Sequence, residues 1–361
     1  MTVFSSPNRT TAFRYVRVAW PSFGELGDLD GVEGCTVEEN IEATLKASGS
    51  LTVKGGWEPE SLDEMVRVYS TSSAPGFEPV TVCHGTFMVS VPDSSYACGG
   101  ASTEADLYSV LKILQDTMLT DSLSMPAGTA TVSFAASLVE RARLHVVADG
   151  SAHRVSSSHA WDIGTSVLDV VNDCMGWAGF SSASVDGYGN VVLRAYADPA
   201  GHAPVAVLSD RERGGPIGGV EVTREHDPAG VPNVSIVVFS PQEGDPEAAC
   251  VRNDDPASPF STVSRSREIC RYEEVTELSG SASAKALSNL RSAMRVVDKY
   301  GIDMLWWPVE PGDVVRIDYA GPGVLVDGVL VKRSVPMTPA LRCACTVRRN
   351  VDYFEASVVG A

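Results

Sequence analysis

The sequence predicts a mainly β protein with an α+β insert, and three observations predict it. Short runs of Val, Ile, Leu, Phe and Tyr alternate with polar residues and stop at turn formers, of which the chain holds 32 glycines and 21 prolines. Stripes of helical period are few, and strand-like runs outnumber them at both ends of the chain. Between those ends one helical pattern runs directly into a hairpin pattern, as in a small α+β module.

The elements follow in order. The run "FRYVRVAW" sets Phe13, Tyr15, Arg17 and Ala19 against Arg14, Val16, Val18 and Trp20, as the period of a strand requires. In "TVEENIEATLKASG", Thr36 followed by Glu39 makes a capping box. Val37, Ile41 and Leu45 recur at helical spacing and Gly49 stands as a stop, so this stretch predicts a helix. Strands are expected at "SLTVKG", "MVRVYST" and "GTFMVSVPD", each bounded by Gly, Pro or Ser. The stretch "TEADLYSVLKILQDTML" predicts a second helix, with Leu107, Val110, Leu111, Leu114 and Met118 as its core stripe. "ATVSFAASL" and "ARLHVVADG" read as extended segments, and composition shifts towards Ser and His near residue 151.

The middle segment opens on "TSVLDVVNDCMGWAGF", whose Val167, Val170, Val171 and Cys174 share a helical face that ends near Gly176. "ASVDGYGNVVLRAYAD" then predicts a hairpin with its loop at 186–190. In the last segment, "NVSIVVFS" fits a buried strand and "NDDPASPFSTVSRSRE" a long loop. "SASAKALSNLRSAMRVVDKYG" predicts a helix over 282–300, with Leu287, Leu290, Met294 and Val297 as its stripe and Gly301 as its stop. Pro311 and Gly312 form a turn that Asp313 caps, and "VVRIDY" alternates as a strand. "VLVDGVLV" predicts a hairpin turning at Asp327-Gly328. "LRCACTVRR" places Leu341, Cys343, Cys345 and Val347 on one strand face, and the strands of this end can curl into a small barrel.

Composition restricts function. A net charge of −18 opposes a grip on a phosphate backbone or an anionic membrane surface. The start "MTVFSSPNRT" lacks the pattern of a secretory signal, and no apolar run is long enough to span a bilayer, so a soluble, cytosol-made chain is expected. Eight cysteines in 361 residues are too dilute for a disulfide scaffold, so reduced thiols are expected. The Cys343-x-Cys345 pair has the look of half a metal site, but small apolar core residues are the stronger reading.

Catalytic constellations are weak. "GGPIGG" lacks the Lys-Ser/Thr of a phosphate loop and reads as a connection, and "DGYGN" sits in a hairpin loop with no helix behind it. None of His84, His145, His153, His159, His202 and His226 stands four residues from another. "SSSHAW" offers Ser and His without a carboxylate at useful spacing, and the pairs Asp254-Asp255 and Glu273-Glu274 are ordinary in so acidic a chain. Trp306 and Trp307 fit a core or a subunit interface better than a sugar platform. The expectation is therefore no enzyme, with no catalytic, cofactor-binding or metal residues.

In its order of elements the chain resembles the baseplate hub family of phage tails, which includes contractile-tail hubs and the N-terminal hub region of siphophage tail-tip proteins. Three stretches carry the resemblance. They are the opening strand with "GVEGCTVEENIEATLKASGSLTVKG", the central "SVLDVVNDCMGWAGFSSASVDGYGNVVLRAYAD", and "NVSIVVFS" with the Ser/Ala-led helix and "PGDVVRIDYAGPGVLVDGVLVKRSVPMTPALRCACTVRR". The resemblance implies two small β-barrel-like domains, each with a helix, joined by a helix-hairpin module, at 1–150, 151–229 and 230–361. It also implies a homotrimer that forms a pseudo-sixfold ring between the tail tube or distal tail protein ring and the tip, spike or fibre proteins. Tape-measure protein and, in transit, DNA would pass through the channel; stable membrane binding and cofactors are not implied. The chain would reside in the virion tail after assembly in the host cytoplasm. The alternative is a carbohydrate-binding or cell-wall-degrading tail-associated protein built around Trp306 and Trp307.

Overall fold

The computed structural model describes residues 3–6, 8–55, 57, 59, 63–90, 93–97, 100–196, 202–211, 216–217, 221–226, 229–240, 246–275 and 281–352. The fold is mainly β with few helices, and its sheets are open. Two compact units are present, Met1–Glu221 with Ile302–Thr346, and Val222–Gly301 with Val347–Ala361.

In the larger unit one sheet runs through Val324–Pro336, Val32–Asn40, Ala47–Lys54, Gly100–Ser109, Val80–Val89, Met65–Ser73, Thr10–Val18 and Glu25–Asp28, each antiparallel to the next. The opening strand forms as its alternation predicts, with Val16 and Val18 fully buried. The predicted helix over 36–49 does not form. Val32–Asn40 and Ala47–Lys54 are paired strands, and Thr36–Asn40 lies against a strand some 300 residues away, with Thr36 opposite Pro336 and Asn40 opposite Lys332. Ladder bonds on both edges outweigh a local capping box.

The second predicted helix is split. Gly100–Ser109 is strand, and only Leu111–Asp116 (α1) is helical. Leu107, Val110, Leu111 and Leu114 are fully buried as expected, whereas Met118 is exposed. "ATVSFAASL" is corrected from extended to helical: Thr131–Arg141 (α2) buries Val132, Ala135, Leu138 and Val139, a helical spacing. Helix Val167–Ala178 (α3) forms where predicted. Ser166 caps its start, accepting from the Asp169 amide at 3.1 Å, and Gly179 in the left-handed region (φ +70°) ends it three residues beyond Gly176. The hairpin forms too, with Ser184–Val185 antiparallel to Val191–Leu193 and Val146–Ala148 parallel to the latter. These helices and strands share one core in which Leu168, Val170, Val171, Cys174, Met175 and Trp161 are buried.

At the chain's other end, Val314–Tyr319 pairs antiparallel with the first half of Val324–Pro336, and Ala206–Ser209 adds a parallel strand beside it. The turn at Pro311 is as predicted: the Asp313 carboxylate accepts from the Glu310 amide at 2.8 Å. The hairpin predicted at Asp327-Gly328 is displaced. Val324–Pro336 runs straight through that dipeptide, with Arg316 opposite Asp327, and the turn lies before it, ending at Gly323 with φ +75°. Cys343 and Cys345 are buried on one face of the final strand, Arg342–Asp352, as their alternation predicts, whereas Leu341, also buried, lies just before the strand with φ +45°.

The smaller unit packs a three-stranded sheet, Glu247–Arg252, Val234–Phe239 and Cys270–Val275, against helix Ala282–Ala293. Ala282, Ala286, Leu290 and Met294 form the buried stripe. The helix predicted over 282–300 therefore stops early. Arg295–Leu305 is strand, since "RVVDKYGIDML" alternates and finds ladder partners. The long loop of 253–268 holds only the short helical turn Thr262–Arg265.

Candidate functional site: a cleft beside a strand edge

Strand Val80–Val89 positions the candidate site, which lies wholly in the larger unit. One edge of this strand pairs with Met65–Ser73 along its length, whereas Gly100–Ser109 meets the other edge only at Phe87, Met88 and Val89. Beside the remaining edge opens a cleft of about 450 Å³. The turn after Val32–Asn40, the hairpin tip at Asp186 and Gly187, and residues 306–311 form its walls.

The pairing slips by one residue here. Val68 faces Gly85 and Tyr69 faces Cys83, so His84 is the extra residue of a β-bulge. The bulge turns His84 inward. Its Nε2 lies 2.7 Å from Ser70 Oγ and its ring meets Trp306 edge-on at 5.9 Å. Burial, reinforced by the Arg333 charge, pushes its pKa down to about 3, so the imidazole stays neutral near pH 7.

Arg333 is the charge beneath this cluster, only 5% exposed. Its Nε and Nη2 reach Glu39 Oε2 at 2.7 and 2.6 Å, Nη1 donates to the Val309 carbonyl, and the guanidinium lies 5.8 Å over the Trp306 ring. A buried guanidinium needs such a set of partners. Trp306 itself is packed between Phe4, His84 and Arg333, and its indole N–H has no acceptor among the described residues.

Thr86 and Phe87 are neighbours on a strand and so face opposite sides of the sheet. On the Thr86 side sits the hairpin tip. Thr86 Oγ1 and Cys83 Sγ each donate to the Gly187 carbonyl at 3.0 Å. Arg67 ties the contact together, giving Nε to Thr86 Oγ1 at 2.7 Å and Nη2 to the Tyr188 carbonyl at 3.3 Å. Residue 187 must be glycine, because a Cβ there would lie 2.5 Å from the Cys83 carbonyl oxygen. The Asp186 carboxylate is consumed by its own loop, accepting from the amides of Tyr188 and Asn190 and from Asn190 Nδ2.

Two cations complete the lining. Lys46 donates to the Ile41 carbonyl at 2.7 Å, and burial lowers its pKa; Arg194 is exposed. Among the described residues neither meets a carboxylate. The arrangement is poor for acyl or glycosyl transfer. Ser70 and His84 are sealed, and the charge beside the imidazole is positive, the reverse of an oriented base.

The other sequence candidates are dispersed. Trp306 is 4% exposed and Trp307 half-buried, so the pair is no open platform. His159 stacks on Trp177 at 4.0 Å and meets Ser157 at 3.4 Å, with no carboxylate on its ring among the described residues. His153 bonds Thr131, His145 packs on Phe23, His202 is exposed, and the His226 side chain lies outside the described residues. Asp255 caps its own loop at Ala257 and Glu274 accepts from Ser240. Mutual hydrogen bonding and burial hold the Cys343 thiol far above its usual pKa, and burial alone pushes Cys35 up to about 12, so both stay protonated. Cys98 and most of "GGPIGG" lie outside the described residues. The Glu39–Arg333 pair, 294 residues apart, had no sequence signal. The bulge had one: glycine after His84, inside a strand run.

No family model matches the chain, and no curated protein does. Solved structures do. A tail protein from Neisseria meningitidis MC58 superposes with a TM-score of 0.64 at 13% identity, over 94% of this chain and 97% of that one. The 43 kDa tail protein of prophage MuSo2 from Shewanella oneidensis gives 0.60 at 12% identity, over 94% and 98%. The Francisella PdpA-VgrG complex gives 0.59 at 10% identity, over 96% of this chain and 58% of that one. At such identities the likeness is one of fold, and it runs through nearly the whole chain: this protein has the fold of these phage tail proteins.

Proposed function

We propose that the chain is a structural subunit at the distal end of a phage or phage-like tail, a baseplate hub or tail-tip protein, and not an enzyme. The observation that carries this is the full-length likeness in fold to the Neisseria tail protein. In this reading three copies form a pseudo-sixfold ring, with 1–150 and 230–361 as its two modules and 151–229 between them. The ring joins the tail tube or distal tail protein ring to tip, spike or fibre proteins, and encircles the passage for tape-measure protein and DNA. Its place is the virion tail, assembled in the host cytoplasm. Two observations support the reading. A charge of −18 repels polyanionic DNA from a channel wall, and the one cleft described above holds no activated nucleophile.

Light scattering tests it first, with a mass of three times the 38.2 kDa chain expected. Electron microscopy of the assembled particle should then show the chain as a threefold ring around an axial passage. A persistent monomer, or a chain that turns over a cell-wall polymer, overturns the reading.

A further inference from the structure

The three-stranded sheet of the smaller unit has two bare edges. Its order is Glu247–Arg252, Val234–Phe239, Cys270–Val275, and among the described residues neither outer strand pairs with anything but the central one. The ladder bonds fix which main-chain groups face outward. The Asn253 amide donates to the Asn233 carbonyl at 2.8 Å, so the odd residues of Glu247–Arg252 bond to the central strand and the main-chain groups of Ala248, Cys250 and Arg252 face away from it. The Val234 and Ser240 amides donate to the Ile269 and Val275 carbonyls. On that side it is therefore Cys270, Tyr272 and Glu274 whose main-chain groups face outward. All six of these residues are exposed, Tyr272 at 61%.

An open edge templates pairing with another chain, and proteins commonly blunt such edges with proline, lysine or a bulge. Neither outer strand, each of 6 residues, holds any of these. The two edges also suit each other. Both strands pair with Val234–Phe239 over its full length, but Glu247–Arg252 runs antiparallel to it and Cys270–Val275 parallel. A second copy, placed beside the first by rotation about an axis along the strands, sets its Glu247–Arg252 antiparallel to the first copy's Cys270–Val275. Outward groups then meet outward groups, and helix Ala282–Ala293 stays on the same face in both copies. In full overlap Tyr272 meets Cys250, Cys270 meets Arg252, and Glu273 and Glu274 meet Ala249 and Ala248, so no like charges oppose.

We infer that these two edges join successive copies of the chain head to tail, Cys270–Val275 of one against Glu247–Arg252 of the next, in one continuous sheet. The join makes about six main-chain bonds. One interface of this kind covers both edges at once, whereas two-fold pairing of an edge with itself leaves the other bare. A head-to-tail contact closes into a ring or runs on as a filament. Closure at three rests on the trimeric tail-hub reading; the strand contact itself does not.

Cross-linking of the intact chain tests the contact. Tyr272→Cys, in a Cys270→Ser background, puts a thiol opposite Cys250 of the next copy at a Cα separation of about 5.5 Å, within reach of a disulfide. Within one chain the same two positions lie two strand spacings apart, roughly 9.5 Å, which no disulfide spans. Diamide, which takes two electrons and two protons from each thiol pair, is the oxidant. Denaturing gels without reductant are expected to show covalent dimers and trimers, and adding Cys250→Ser to the same chain should abolish them. Ala248→Pro removes one outward N–H at an edge position that tolerates proline, and should weaken association about tenfold by light scattering. Absence of the linked species overturns the inference. So does linkage that survives Cys250→Ser, as pairing of Cys270–Val275 with its own copy would give. A threefold mass without the Cys250 linkage sinks this contact alone, whereas a ladder of linked chains that runs past three sinks the trimer and supports the contact.

Discussion

Acidification should weaken the larger unit through His84, and the size of the effect follows from its surroundings. In the unfolded chain this imidazole titrates near 6.5, whereas burial and the Arg333 charge hold it near 3 in the fold. Between those values the unfolded state binds a proton that the folded state refuses. Stability from this residue is thus complete above pH 6.5 and is lost as pH falls towards 3. At about pH 5 the gap of roughly 1.5 units below the unfolded value, at about 1.4 kcal/mol per unit, amounts to about 2 kcal/mol. Urea unfolding at neutral pH and near pH 5, on the native chain and on His84→Gln, isolates the effect. Gln keeps a polar partner for Ser70 but has no titration, and carboxylate contributions cancel between the two proteins. The native chain should lose about 2 kcal/mol more than the variant. Losses that agree within about 0.5 kcal/mol would refute the reasoning, because they would mean that the imidazole protonates in place.

Three further substitutions probe the same region and the strand register. Glu39→Gln leaves the Arg333 guanidinium buried without its counter-charge and should cost about 3 kcal/mol in chemical unfolding; the double change Glu39→Leu with Arg333→Met should recover most of that. Gly187→Ala drives a methyl group against the Cys83 carbonyl and should cost about 1–3 kcal/mol, read as a lowered thermal midpoint. Gly323→Ala, at φ +75°, should cost about 1 kcal/mol or more, whereas Asp327→Asn weakens a half-exposed pair with Arg316 and should cost less than about 1 kcal/mol. The reverse order would return the hairpin turn to residues 327–328.

Much of the fold was legible wherever local pattern and tertiary partner agree. The alternation of Val16 with Val18 and of Cys343 with Cys345, the α3 stripe, and the loop at 186–190 all formed as read. Legibility failed where a distant strand decided the outcome. Thr36 and Glu39 have the spacing of a capping box, yet Glu39 turns to Arg333 and residues 36–40 bond to 332–336. Asp327-Gly328 is a strong hairpin dipeptide, but six ladder pairs between Val314–Tyr319 and its partner carry the strand through it. The α2 segment failed for another reason. Its Val, Phe and Ala positions satisfy both a short alternation and a helical stripe, and only the core beneath selects Val132, Ala135 and Leu138.

The cleft is the least legible feature, because no residue within it sets its existence. It follows from where the sheet loses a strand. Val110, Leu111 and Leu114 are drawn fully into the helical core, so the chain abandons the sheet at Ser109. Had the strand continued, its backbone would have filled the space that Trp306 and the hairpin tip now flank. Burial of three apolar side chains, each worth about 2 kcal/mol, thus outweighs a few ladder bonds at about 1 kcal/mol apiece. The edge left behind is then shielded in two ways. Gly187 lies close enough to block one face, and His84, rotated inward by its bulge, anchors Trp306 on the other. A strand edge shielded in this way resists casual self-pairing.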